Sequence, residues 1–500
     1  MRKIGSLILL VAVFMSMSCG SSSNNPSGPT TGQALFNLAK QKEQAGAYLS
    51  AARLYAQAQP ILRVEGNAEL GRECGQAAKR TATITISFPS TEQDIRDTIS
   101  QRFTGVSEEQ VRYLISRVAY LDIEGARYYF DDYLDTIIHL DLSLMQQLPD
   151  VIAENRKGYD ALMPFVNQPG PTSGSPYRNP KTFQAVSKYN IPVNALPGSG
   201  LLKIWQPAPI DTDCQTEATL VSATPTTYIK NPPTFNGNLG DIYLEVPLDG
   251  LTGSLRMEFK FKFKHWEQRF TMIDPGNIGP YDKESALYKE FTASKGNIFI
   301  SPEIAAKAAE VVGLEQNPYK AARKLYDYVV NGTTYSHMPH GALPFLNIPE
   351  SVFVHAHLFG DCGSQSAYFS ALCRAIGIPA RTTGGYQLFP GMEGTHFWAE
   401  FYLPNYGWVP ADTSVAQIAD YIPELTNAQK KAWKDYYFAS MDPYRMVIQK
   451  DFDLPFTPPA PEPTELSAWL QLPAVLCDTI DGMPESPVWD HYDISFTAEP

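Results

Sequence analysis

The sequence comprises 500 residues, of which 44% are hydrophobic and 12% aromatic, as in a soluble globular protein. This length exceeds what one ordinary hydrophobic core holds, so about two to four domains are expected. Because 53 acidic residues oppose 40 basic ones, the formal net charge is −13, which argues against nucleic-acid binding and against adhesion to anionic lipid through a basic patch.

The first residues are typical of a targeting segment. Arg2 and Lys3 precede an apolar run over residues 4–17. This run is shorter than the roughly 20 apolar residues that span a bilayer, and it fits a secretory signal. The small residues Ser16-Met17-Ser18 suit a cleavage site, so a signal peptide is predicted over residues 1–18.

Cys19 stands directly after this segment and before a Ser/Asn/Gly/Pro-rich stretch, residues 20–32, which is flexible by composition. The arrangement resembles a bacterial lipoprotein signal, which implies lipidation of Cys19, a tether over residues 19–33 and a protein anchored to a membrane of the cell envelope. Ordinary secretion, as a soluble or periplasmic protein with Cys19 unmodified, is the alternative.

Residues 34–165 are predicted to be mostly helical. One stretch resembles a single tetratricopeptide hairpin, through Leu38, Ala39, Gly46-Ala47-Tyr48, Ala51, Tyr55 and Ala58. The β-branched run Thr83–Phe88 is predicted to be a strand. A plain packing role is expected for the region, with docking of a protein partner as the alternative.

A change of period marks the next unit. Residues 166–185 are predicted to be a linker because Pro, Gly and Ser dominate residues 167–176. Apolar and charged residues then alternate over residues 255–264, as in a half-buried strand, so residues 186–297 are predicted to form a β-rich domain.

Cys362 is predicted to lie at the start of a helix. Tyr368, Ala371, Leu372 and Ala375 recur after it with the spacing of one buried helical face. At such a position the helix dipole and the free backbone N–H groups favour a thiolate and could hold an oxyanion.

His396 and Asp412 are predicted to lie on two neighbouring strands. Apolar and other residues alternate over residues 396–403, and the turn-forming Pro404-Asn405-Tyr406-Gly407 precedes a return strand that ends at Asp412. A hairpin brings the two side chains near each other, but its register decides whether they share a face, and the sequence leaves this register open. A thiol, a base and an acid are the minimum set for covalent acyl transfer.

These residues also match a family pattern, which covers roughly residues 200–455. The chain resembles the transglutaminase-like superfamily in five segments: Asp361-Cys362-Gly363 through Arg381, Gly385-Tyr386, Thr395-His396-Phe397-Trp398-Ala399-Glu400, Gly407-Trp408-Val409-Pro410-Ala411-Asp412 and Asp442-Pro443-Tyr444-Arg445. The resemblance implies a papain-like core over residues 298–455, in which a helix bearing Cys362 packs on an antiparallel sheet bearing His396 and Asp412.

In that reading Cys362 is the nucleophile, His396 the base and Asp412 the residue that orients the base, and the whole chain is a multidomain α+β protein. The expected function is thiol-dependent amide hydrolysis of a peptide or protein through a thioester, with no cofactor. Cross-linking by amine attack is one alternative, and a catalytically silent peptide-binding scaffold is another.

A metal site is the rival interpretation. Half of the eight histidines cluster just upstream of Cys362, at His337, His340, His355 and His357, and Asp361 could add an oxygen ligand. Because the pairs lie in turn-like sequence, no metal is expected, and Tyr335, His355 or His357 is instead predicted to line the cleft or donate to the oxyanion.

The remaining cysteines give no further site. Cys74, Cys214, Cys373 and Cys477 lack the CxxC spacing of zinc and redox sites, and no disulfide pairing follows from the sequence. Residues 456–500 are predicted to be a Pro-rich tail that packs over the core as irregular chain.

Overall fold

The computed structural model describes residues 31–460, 470–478 and 486–499. The predicted signal peptide, Cys19 and most of the tether lie outside these residues. In the described part the chain is a mixed helical and sheet protein, as expected. None of its helices is both long enough and apolar enough to cross a membrane.

The N-terminal part is helical with one small hairpin. Its elements are α1 Gly32–Gln44, α2 Tyr48–Val64, α3 Ala68–Ser87, α4 Glu92–Arg102, α5 Glu108–Arg117, β1 Tyr120–Ile123, β2 Ala126–Tyr129, α6 Tyr133–Leu140, α7 Leu142–Met145 and α8 Pro149–Val166. The predicted hairpin corresponds to α1 and α2. Residues of α3, among them Cys74 and Ala77, bury its apolar face around Phe36 and Tyr55.

The predicted strand at Thr83–Phe88 is wrong, because Thr83 to Ser87 form the last turns of α3. Thr81 and Ile84, three positions apart on one helical face, are both buried. Ile84 and Phe88 pack with Phe130 in one cluster. Burial of this helical face outweighs the β-propensity of the run, which is a weak and context-dependent preference.

The middle of the chain forms two antiparallel sheets. Its strands are β3 Tyr177–Ile191, β4 Leu201–Pro207, β5 Gln215–Thr224, β6 Ile229–Asn231, β7 Asp241–Pro247 and β8 Leu255–Arg269. Over residues 255–264 of β8 the apolar residues are buried and those between them are not, as the alternation predicted. β3 begins inside the predicted linker, where it pairs with the far end of β8.

The C-terminal segment belongs to these sheets. Its elements are β16 Ala474–Cys477, α16 Ser486–Trp489 and β17 Tyr492–Ala498. β16 pairs with β4, and β17 pairs with β3. The prediction of irregular chain after residue 455 is therefore wrong for these strands, whose partners lie far away in the sequence.

The core combines helices with a four-stranded sheet of order β13-β12-β11-β15. Its elements are α9 Ala286–Phe291, α10 Pro302–Val312, α11 Pro318–Gly332, β9 Thr334–Tyr335, α12 Glu350–His357, β10 Phe359–Gly360, α13 Cys362–Ala375, β11 Ala380–Gln387, β12 Gly394–Leu403, β13 Gly407–Ala411, α14 Thr413–Gln417, α15 Asn427–Tyr436, β14 Ser440–Met441 and β15 Arg445–Gln449. Helix α13 packs against β11 and β12.

The two faces of this sheet serve different cores. Val447 of β15 packs in the cluster formed with α13, whereas Met446 and Ile448 pack among the residues of the β-rich region. Gln471, in the C-terminal segment, donates from Nε2 to the carbonyl oxygens of Gly385 and His396, at 2.9 Å each. The β-rich region and the C-terminal segment thus support the strand that carries His396.

Candidate active site

Cys362 is the first residue of α13. The Asp361 carboxylate caps this helix by accepting from the backbone N–H of Ser364 at 3.0 Å. This leaves the N–H groups of Cys362 and Gly363 without an intrahelical acceptor, as at any helix start. The helix behind them is buried from Gly363 to Arg374, whereas Cys362 itself is partly exposed. The predicted helix-start position of the thiol is confirmed.

His396 and Asp412 are hydrogen-bonded. Antiparallel pairing of β12 with β13 sets Ala399 opposite Ala411. Asp412 follows β13 directly, and its Oδ2 lies 2.8 Å from His396 Nε2. Its Oδ1 caps α14 by accepting from the N–H of Val415 at 3.0 Å. The register that the sequence left open thus brings the two side chains together.

The thiol lies beside the strand that carries His396. The backbone N–H groups of Phe397 and Gly363 face the Cys362 sulfur. The helix start and the strand are closely packed, because any side chain in place of Gly363 would bring its Cβ within 3.3 Å of the Phe397 ring. Since Asp412 engages Nε2 of His396, Nδ1 is the ring nitrogen that remains for the thiol proton.

The pKa of Cys362 is shifted upward, opposite to the direction that a helix start and a histidine partner were expected to give. Burial raises the pKa of Cys362 well above its usual value, and the Asp361 carboxylate adds to this, whereas the N–H groups of Phe397 and Gly363 oppose it. These effects penalise loss of the proton to solvent. Transfer of the proton to His396 avoids a net buried charge, because thiolate and imidazolium form a neutral pair.

A buried arginine fixes the carboxylate. Arg445 Nη1 donates to Asp412 Oδ2 at 2.8 Å, and Nη2 donates to Asp442 Oδ2 at 2.7 Å. All three side chains are fully buried. Burial opposes ionisation of Asp412, but His396 and Arg445 together outweigh it and lower its pKa to about 2. Asp412 is therefore ionised over the physiological range and able to stabilise a protonated His396.

The four histidines of the rival metal interpretation have different partners. His337 pairs with Asp132, which raises its pKa to about 9, and His355 Nδ1 lies 2.8 Å from the Tyr368 hydroxyl. His357 packs on the Phe353 and Phe359 rings. His340 alone lies next to Asp361, at 2.8 Å.

Of the predicted oxyanion candidates, Tyr335 is the one beside the nucleophile. Burial holds its phenol pKa well above the usual value, with smaller contributions in the same direction from the neighbouring Cys362 and Asp361. Gln365, also close by in sequence, donates from its side-chain amide nitrogen to Gly360 O and to Gln417 Oε1. The N–H groups at the start of α13 and the Tyr335 hydroxyl are thus the candidate oxyanion donors at this position.

Residues 305–413 match the family model described as the transglutaminase-like superfamily. This segment is a transglutaminase-like core. The family resemblance seen in the sequence is confirmed over this part of the chain, which includes Cys362, His396 and Asp412.

The other comparisons cover more of the chain at lower similarity. A curated Haemophilus influenzae protein described as uncharacterized is 28% identical over 148 residues, which are 25% of this chain and 38% of that protein. The match therefore spans less than half the length of that relative.

Two solved structures match parts of this chain at low similarity. A protein of Cytophaga hutchinsonii, described as a candidate cysteine protease, is 15% identical, with a TM-score of 0.37 over 65% of this chain and 89% of that one. The periplasmic domain of TgpA from Pseudomonas aeruginosa is 16% identical, with a TM-score of 0.25 over 51% of this chain and 92% of that one.

The N-terminal helices pack against the transglutaminase-like core next to Tyr335. The hydroxyls of Thr136 and Ser336 are hydrogen-bonded at 2.6 Å in a buried contact. The His139 ring packs edge-on against Tyr335, with ring centroids 5.4 Å apart. No sequence signal predicted this contact, because it joins segments about 200 residues apart.

The five cysteines within the described residues form no disulfide with one another, and they are expected to differ sharply in reactivity. Cys74, Cys214, Cys373 and Cys477 are buried, and burial raises the pKa of Cys214 to about 12. Under limiting iodoacetamide, peptide mapping should recover label on Cys362 first and on Cys373 last, because among these five only Cys362 is partly exposed, and it lies against the strand that carries His396. Equal labelling of Cys214 and Cys362 would contradict this assignment.

Proposed function

We propose that this protein is a thiol-dependent amide hydrolase of the cell envelope that acts on a peptide or protein through a thioester on Cys362. The observation that supports this most directly is the His396 imidazole held by Asp412, on the strand whose Phe397 N–H faces the Cys362 sulfur at the start of a helix. A cysteine with only a packing role in the core would need neither the histidine nor the aspartate. The family match over residues 305–413 points the same way.

In the first half of the reaction, the Cys362 sulfur transfers its proton to His396 Nδ1 and attacks the carbonyl carbon of the amide. The carbonyl oxygen becomes an oxyanion, for which the free N–H groups of Cys362 and Gly363 and the Tyr335 hydroxyl are the nearest donors. Collapse of this intermediate breaks the C–N bond, and the leaving amine takes the proton from His396. A thioester on Cys362 remains.

In the second half, water attacks the thioester carbon and gives a proton to His396. The C–S bond then breaks, a carboxylic acid leaves, and the proton returns to the sulfur. An amine in place of water would give a cross-link by the same steps. Hydrolysis is proposed ahead of cross-linking because water is always available.

The chemistry is tested in labelled water. The mature protein is incubated with a peptide digest of envelope proteins in isotopically labelled water, together with a fluorescent primary amine, and products are identified by mass spectrometry. Hydrolysis predicts new carboxylates that carry oxygen from the water, and none with Cys362→Ala. Products that carry the amine instead would establish cross-linking, and binding without products would establish the scaffold alternative.

The location is a separate prediction. Lipidation of Cys19 should place the mature protein with membranes, because a diacyl anchor supplies two chains where a single chain binds only marginally. Cys19→Ala should release the protein or block its processing. Membrane fractionation and mass spectrometry of the mature N-terminal peptide measure both. Unmodified Cys19 in periplasm or medium would make this an ordinary secreted protein.

A further inference from the structure

A second histidine–carboxylate array lies directly beside the nucleophile. His340, in the loop between β9 and α12, places Nδ1 2.7 Å from Glu350 Oε1 and Nε2 2.8 Å from Asp361 Oδ2. Glu350 opens α12 and is 2% exposed. Asp361 immediately precedes Cys362 and caps its helix.

The hydrogen bonds of this array favour a protonated His340 ring. A carboxylate only accepts hydrogen bonds, so a ring with both nitrogens facing carboxylates is satisfied when both nitrogens hold hydrogen. Burial opposes the charged ring, but Glu350 and Asp361 outweigh it and hold the pKa of His340 well above its usual value. The two hydrogen bonds and the direction of this pKa shift both favour the imidazolium form of His340.

This geometry does not suit a chelated metal ion, although the three side chains offer ligand atoms within 4.8 Å of one another. The two carboxylates lie at different nitrogens, on different edges of the ring. An ion bound at one nitrogen would displace its proton and reach only the carboxylate on that edge. The contacts thus describe a hydrogen-bonded charge array.

The array affects the ionisation of the Cys362 thiol through the charge of Asp361. A bare carboxylate next to Cys362 disfavours a negative charge on the sulfur, and Asp361 does act in this direction. The imidazolium of His340 bonds that carboxylate and offsets its field. The other ionisable groups that face the array are His337 with its partners Asp132 and Asp135, Tyr335, Cys362 and Asp453.

We propose that His340, held in place by Glu350, is a positioning residue that neutralises Asp361 and so allows Cys362 to become a nucleophile. This role rests on the proposed function of Cys362. It adds a second histidine with a task different from that of His396, since His340 keeps its proton while His396 exchanges one.

The test measures the thiol and needs no substrate. The rate of Cys362 alkylation by iodoacetamide is followed from pH 5 to pH 10 by peptide mapping, in the mature full chain and in His340→Gln. A charge change this close is expected to move the apparent pKa of Cys362 up by about one unit, which lowers the alkylation rate near neutral pH about tenfold.

Two further variants separate electrostatics from structure. Asp361→Asn in the His340→Gln background removes the uncompensated charge but keeps a helix-capping side chain, so the alkylation profile should return toward that of the parent protein. His355→Gln is the matched control, because the hydrogen-bond partner of His355 on α12 is the Tyr368 hydroxyl and not a carboxylate. Its profile should be unchanged.

Three results would overturn the proposal: an unshifted profile in folded His340→Gln, an equal shift in His355→Gln, or no recovery in the double variant. If His340→Gln does not fold, Asp361→Asn alone is compared with the double variant, and any difference between their profiles counts against a role through Asp361. Because alkylation reports only the thiol, failure to find amide hydrolysis would leave this measurement intact.

Discussion

Cys362→Ala and His396→Ala are each expected to lower amide turnover by about 10⁶-fold, and the double variant is expected to be no slower. The reason is that the sulfur and the imidazole act as a unit, so loss of either partner removes the same step. Asp412→Asn should cost less, about 10⁴-fold, since His396 stays present but loses the charge that orients and stabilises it. The measurement is kcat/KM on a confirmed peptide substrate.

Cys373→Ala is the matched control for these variants. Cys373 lies on the same helix, is fully buried and has no base beside it. This variant should lose some thermal stability through the small cavity, yet keep its turnover once folded. Normal activity of Cys362→Ala would rule out the thioester, and a double variant slower than either single one would show that the two residues act in separate steps.

The nucleophile and its partners were predictable because each depends on local sequence. The helix start at Cys362 follows from the apolar spacing behind it, and the strands of His396 and Asp412 follow from alternation around a turn. The bond between His396 and Asp412 could not be predicted, because a slip of one residue in the β12–β13 register would have turned the two side chains apart.

The supporting residues depend on contacts across the chain. In the sequence Arg445 stands out only as part of a family-like segment, since its partner Asp412 is 33 residues away. His340 stands in turn-like sequence, and its two acids come from α12 and from the residue before α13. Periodicity gives no information on such pairs. For the same reason β16 and β17 were missed, since only pairing with β4 and β3 makes them strands.

Arg445→Met is expected to lower the free energy of unfolding by about 3–5 kcal/mol, the largest effect on stability expected of any single change at this site. Methionine matches much of the buried stem, but it leaves Asp412 and Asp442 facing each other without a cation. Loss of one partner from a buried ionic group costs this much because the remaining charge has no solvent. Urea denaturation at pH 7 measures the change.

Arg323→Met is the matched control, because Arg323 also joins two carboxylates, Asp327 and Asp435, but with a side chain 33% exposed. Solvent stabilises those carboxylates when the cation is lost, so the cost should be about 0–1 kcal/mol. Adding Asp442→Asn to Arg445→Met removes one of the two carboxylates left without a cation. The double variant should therefore recover part of the lost free energy of unfolding. Equal costs for Arg445→Met and Arg323→Met would mean that the buried cation does not hold Asp412.

The deficit of Arg445→Met should also depend on pH with a fixed sign. In the parent protein the pKa of Asp412 is lowered to about 2, so its ionic contacts stabilise the fold above the unfolded value near 4 and are lost as pH falls toward 2. Without Arg445 the carboxylate instead becomes easier to protonate, and protonation removes the unpaired charge. The stability gap between parent and variant should therefore narrow as pH falls from 7 to 4, and a gap that is constant over this range would assign the loss to packing alone.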